Sequence, residues 1–87
     1  MEFTKKTIVT WAAPIDNTSI ADSIRAKISS MVNEGKTDGK TIQGPEMYDV
    51  TRLWVDQAAA EEWTSWITET CATFNLPLPS TSILDNN

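Results

Sequence analysis

The 87-residue chain predicts an α+β fold in which two helices cover one face of an antiparallel sheet. Three observations carry this expectation. Residues 47–55 alternate with a period of two and are rich in aromatic and β-branched side chains, the mark of a strand. Two later-described stretches repeat apolar residues at helical spacing. The order of these segments, β-α-β-β-α, is that of two helices on one face of an antiparallel sheet.

The central strand runs directly into a helix. Met47, Asp49, Thr51, Leu53 and Val55 fall on one face, and Tyr48, Val50, Arg52 and Trp54 on the other. Both faces carry apolar residues, so neither reads as fully wet; a one-sided sheet alternates more cleanly. Asp56 offers a side-chain oxygen to the free amides of a first helical turn. Gln57 and three alanines follow, with Glu61 and Glu62 still near the positive end of the dipole. Ala59, Trp63, Trp66, Ile67, Thr70, Cys71 and Phe74 then form an apolar stripe.

Upstream, residues 2–12 read as a first strand with Phe3, Val9 and Trp11 on one face and Ile8 on the other. Pro14 stops it. Asp16, Asn17 and Thr18 are cap candidates for a helix with Ile20, Ala21, Ile24, Ile28, Met31 and Val32 as its stripe. Arg25, Lys27, Ser29 and Ser30 line its wet side, and Gly35 is a left-handed stop. Asp38-Gly39 is the strongest turn signal. Residues 41–43 suit a short strand, paired as a hairpin with the central one or continuous with it through a bulge. After Phe74, Asn75 and the Leu-Pro-Leu-Pro segment end the second helix, and residues 80–84 could close the sheet with a last short strand. The order β-α-β-β-α, with or without a terminal β, is that of a single ferredoxin-like domain spanning residues 1–87. A second copy is the simplest cover for its second face.

Charge and composition remove several functions. Residues 1–52 hold all seven Lys and Arg and seven acids, whereas residues 53–87 hold five acids and no base, so the whole net charge of −5 lies in the second part. Phosphate backbones need clustered Lys and Arg, so nucleic acid is excluded as a partner. No run approaches the roughly 18 apolar residues of a membrane span, and no apolar leader opens the chain. The expectation is a soluble, acidic, cytoplasmic protein without a membrane partner.

The chain has no histidine and one cysteine, Cys71. That excludes Ser-His-Asp and Cys-His nucleophiles and closed zinc sites. Cys71 falls on the apolar stripe, where a small core residue is the simplest reading. Residues 34–41 end in Gly-Lys-Thr, but the glycine a phosphate loop needs is Glu34, and the segment follows a helix rather than a strand. Asn17-Thr18-Ser19 matches a glycosylation sequon, but without a secretory leader a helix cap is the better account. Asp49 with Asp56 or Glu46 has no spacing that fixes a metal site. No metal and no cofactor are expected.

What remains is a set of four residues. Tyr48, Arg52 and Trp54 share a face of the central strand, and Trp11 joins them from the first. Aromatic walls with one guanidinium suit a planar or anionic molecule, a small apolar or aromatic ligand. The same residue types also build hydrophobic contacts between protomers. For Trp11, Tyr48, Arg52 and Trp54 the contact between protomers, with Arg52 paired to an acid, is the favoured expectation and ligand binding the alternative.

The segment Arg52-Leu53-Trp54-Val55-Asp56-Gln57-Ala58-Ala59-Ala60-Glu61-Glu62-Trp63 resembles the strand-to-helix junction of the dimeric α/β-barrel superfamily, which includes antibiotic-biosynthesis-monooxygenase-like proteins. The resemblance covers residues 51–63 by motif and the whole chain by element order and length. It implies a ferredoxin-like protomer that forms a homodimer through its sheet, with small-molecule pockets between sheet and helices. The pocket histidine of several of its enzymes and an axial haem ligand have no counterpart here. The expected function is therefore a non-catalytic or ligand-binding module. The alternatives are a cofactor-independent monooxygenase-like enzyme and a subunit that docks on another protein through its sheet.

Overall fold

The computed structural model describes residues 2–12, 18–43 and 49–86. The chain forms strand β1 (Lys5–Thr10), helix α1 (Ala21–Asn33), the two-residue strand β2 (Ile42–Gln43), strand β3 (Asp49–Trp54), helix α2 (Gln57–Thr73) and strand β4 (Ser80–Asp85). The strands make one sheet in the order β2-β3-β1-β4, and every neighbouring pair is antiparallel.

Register decides which side chains meet the helices. Lys5 pairs with Trp54, Thr7 with Arg52 and Val9 with Val50, so these six residues share one face. Thr7, Val9 and Trp54 are fully buried, and the core joins them to Ile20, Ile28 and Met31 on the α1 side and to Ala59, Ala60, Trp63, Ile67 and Cys71 of α2. The opposite face carries Lys6, Ile8 and Thr10 beside Asp49, Thr51 and Leu53, with Ser80, Ser82 and Leu84 of β4 alongside. Six of these nine are polar, so this face can remain in water.

Helix ends follow local chemistry. Asp56 caps α2 by accepting from the Ala59 amide at 2.9 Å. Asn75, with φ of 58°, ends it by directing the Leu76 amide back to the Cys71 carbonyl at 2.8 Å. Gly35 ends α1 in the same way with φ of 75°, and Lys36 N–H closes on the Met31 carbonyl at 2.9 Å. The helix cap at the start of α1 differs from expectation. Ile20 occupies the N-cap with no side-chain bond, while Asp16 and Asn17 lie outside the described residues. Ile20 is wholly buried, and its burial anchors the helix in place of a polar cap.

The chain leaving α1 is pinned along the outer edge of β3. Lys36 accepts the Val55 amide at 2.9 Å, and the buried Thr37 hydroxyl donates to the Leu53 carbonyl at 2.7 Å. The chain then turns at Asp38-Gly39, where Gly39 has φ of 78° and a Cβ would lie 3.0 Å from Val32 Cγ2. Asp38 Oδ1 accepts from the Lys40 amide, completing the turn. This sequence of contacts sets a loop wall opposite α1, with Arg52 between them.

Candidate functional site

Four aromatic and cationic side chains meet where β3 passes under α2. Trp54 projects from β3 and stacks on Trp63 of α2 with ring centroids 5.7 Å apart. Trp63 stacks in turn on Trp66, one helical turn on, at 5.6 Å. Arg52, two residues before Trp54 and so on the same face, places its guanidinium carbon 5.1 Å from the centre of the Trp63 ring.

Trp54 is satisfied within the protomer. Its indole Nε1–H donates to the Thr7 hydroxyl on β1 at 2.8 Å, and both residues have no solvent exposure. Trp11 is also buried and donates its Nε1–H to the Pro77 carbonyl at 2.9 Å, tying β1 to the segment after α2. Both rings belong to the buried core of the chain. Tyr48 lies outside the described residues. Of the three of these residues that are described, Arg52 alone combines partial exposure with an open cleft.

Two polar groups here are unsatisfied. Arg52 Nε and Trp63 Nε1 are both buried N–H donors without a hydrogen-bond partner among the described residues. Arg52 also has no carboxylate within ion-pair distance there. Burial depresses its pKa below the usual guanidinium value, and the field of Asp38 opposes that effect only in part. A partly buried guanidinium without an ion-pair partner carries a desolvation cost that nothing among the described residues offsets by a salt bridge.

Arg52 lines a cleft of about 430 Å³ between α1 and the 39–41 loop. Ile24, Ile28 and Val32 supply an apolar wall, Ser29 and Asn33 polar groups, and Gly39 and Thr41 the opposite side. Arg25 stands at the rim, paired with Asp22. A smaller hollow of about 220 Å³, with Asp38, Lys40, Thr51 and Leu53, meets the other side of Arg52. The larger volume falls within the roughly 300–1,000 Å³ typical of small-molecule sites.

Sequence reasoning did not connect Trp63 with Arg52. Trp63 appeared as one residue of an apolar stripe and as the end of the strand-to-helix segment, eleven positions away, and nothing in helical periodicity reveals what lies beneath a helix. Cys71 is buried, as its place on the stripe suggested, and burial pushes its thiol pKa up. Among the described residues no cluster of three or more acidic or cysteine side chains could hold a metal ion. No described helix is long and apolar enough to cross a membrane.

Comparison of the chain with protein-family models, with curated proteins and with solved structures gives no match. The functional reading therefore rests on the geometry of the chain itself.

Proposed function

We propose that this protein is a small-ligand-binding module of ferredoxin-like topology, with the Arg52 cleft as its site. The observation that carries the reading is the Arg52 guanidinium, half-buried, lying over Trp63 and unpaired among the described residues at the wall of an open cleft. The strand order β2-β3-β1-β4 with antiparallel neighbours supports the topology. A guanidinium remains charged across the neutral range and donates hydrogen bonds, so its role is recognition rather than proton transfer. With no histidine in the chain, a binding role is favoured over a monooxygenase-like activity.

The test is a ligand screen against the intact protein, read from the indole N–H resonances of its four tryptophans. Binding in the cleft shifts the Trp63 signal saturably and leaves the Trp11 signal, which is tied to Pro77, unchanged. A screen of planar aromatic compounds that moves no Trp63 resonance at millimolar concentration would overturn the proposal.

A second reading adds a homodimer through the open sheet face. Its support is Leu84, 45% exposed, with Leu53 and Ile8 on the same face. Light scattering across a dilution series tests it: a mass that stays at one chain removes the dimer and leaves the cleft untouched.

A further inference from the structure

The sheet has two unequal edges. At one, β2 contributes two residues, and beside it the Lys36 carbonyl and the Thr37 hydroxyl already bond to β3. At the other, β4 runs for six residues, and no strand lies beyond it among the described residues. The bond from the Asn86 amide to the Thr4 carbonyl fixes which groups of β4 point outward. In an antiparallel strand the N–H and C=O of one residue point to the same side, and the side alternates along the chain. Ser80, Ser82 and Leu84 therefore bond to β1, while Thr81, Ile83 and Asp85 aim both backbone groups away from the sheet. No group among the described residues bonds to them there. Edge strands are commonly protected by a lysine, a proline or a bulge. β4 reads Ser-Thr-Ser-Ile-Leu-Asp in unbroken register with β1, and its single charge, Asp85, is held by Lys5.

We infer that the outer edge of β4 is a self-association site, where a second copy of this chain adds its own β4 antiparallel and joins two four-stranded sheets into one. The contact lies in the plane of the sheet, so it is independent of the Arg52 cleft and distinct from a face-to-face dimer. A two-fold axis normal to the sheet keeps the helices of both copies on the same side and places residues of one face opposite each other. Two central registers satisfy this condition, with Ile83 or Ser82 opposite its own counterpart. The second sets Asp85 against Pro79, which has no N–H to give. The first sets Ile83 against Ile83 and Thr81 against Asp85, so every outward N–H and C=O of β4 finds a partner. Asp85 arrives beside Thr81 already paired with Lys5, and the two Asp85 carboxylates lie at opposite ends of the contact. Thr64, Ser65, Thr68 and Glu69 of α2 stand around Thr81 at a hollow of about 310 Å³, so no bulky side chain blocks the approach. The two-residue β2 offers no equivalent edge, and assembly closes at two copies.

The experiment follows the backbone amides of the intact protein by hydrogen exchange from micromolar to millimolar concentration. The Thr81, Ile83 and Asp85 amides are expected to slow about tenfold or more as the dimer fills, while the Ser82 and Leu84 amides, bonded to β1, are protected throughout. In a mixture of labelled and unlabelled protein, the Ser82 Hα of one molecule should contact the Leu84 Hα of the other, since these form the closely spaced pair of this register. Thr81→Pro removes an outward N–H and no bond to β1. With native circular dichroism, it should weaken self-association by about tenfold or more, because each dimer loses two hydrogen bonds.

A chain that stays single at millimolar concentration overturns the inference, and slowing of the same three amides by an unrelated strand-forming peptide would then assign the edge to a foreign strand. A dimer whose Thr81, Ile83 and Asp85 amides still exchange freely overturns it in favour of contact through the open face. Contact between the two Ser82 Hα atoms, in place of Ser82 with Leu84, overturns the register. Should Thr81→Pro lose its fold, exchange and the intermolecular contact in the parent decide alone.

Discussion

Trp54 donates its indole N–H to the hydroxyl of Thr7 across 2.8 Å, at a point where neither residue is exposed to solvent. The bond crosses from β3 to β1 and holds the ring that carries the aromatic stack. Thr7→Val keeps the shape of the side chain and removes the acceptor, leaving a buried indole donor without a partner. The expected cost is about 1–3 kcal/mol, read as a lower urea midpoint with an unchanged slope. Thr7→Ser keeps the hydroxyl and loses one methyl, and should cost less than the valine. A valine variant as stable as the parent would show that the bond contributes nothing.

Arg52 should behave in the opposite sense. Its guanidinium is partly desolvated and has no ion-pair partner among the described residues, so the fold carries it at a cost offset in part by its contact with Trp63. Arg52→Met retains an unbranched chain over the ring and discards the charge. The ligand-free variant should be more stable by about 1 kcal/mol, a gain in Tm of about 4–8 °C for a chain of this size. A fall in Tm would mean that Arg52 holds the structure together and would count against a binding role.

Glu62 joins three parts of the chain. Its carboxylate accepts from Lys27 of α1 and from Lys36 beyond the α1 stop, each at 2.8 Å. The hydrogen bond from Lys27, then that from Lys36, holds its pKa below the usual glutamate value. A carboxyl with a depressed folded-state pKa stabilises fully above its unfolded value and loses that contribution as pH falls through the folded one. Thermal melts should therefore show Glu62→Gln less stable than the parent at neutral pH, with the two curves converging in acid below the usual glutamate range. A constant difference between them at all pH values would assign the effect to packing. The network is partly exposed, so added salt should shrink the difference.

Cys71 should be inert in the native state. It has no exposed surface, and burial raises its thiol pKa, so little thiolate forms at neutral pH. A thiol reagent should label it only as fast as the chain opens, and the rate should rise steeply through the unfolding transition. Rapid labelling of the folded protein would show that the α2 surface over Cys71 opens locally.

Much of this architecture is legible in the order of residues. Asp56 before an alanine run starts α2, and Gly35 ends α1 through local bonds that any chain with those residues can make. The alternation of β3 also survives, although its described bounds are Asp49–Trp54 and residues 47 and 48 fall outside them. Lys27 is the exception on α1. It reads as part of a solvated face, yet its long side chain reaches Glu62 of α2.

Local signals determined the elements, because capping, turn chemistry and periodicity act over a few residues. Tertiary structure decided the rest. β3 carries apolar side chains on both faces, and only its register with β1 places Arg52 and Trp54 under the helices rather than on the open side. β4 follows two prolines and forms because β1 presents an unpaired edge six residues long. The candidate site depends on the same step. Arg52 and Trp63 come into contact only when α2 folds back over β3, and the two donors left without partners among the described residues exist only in that packing.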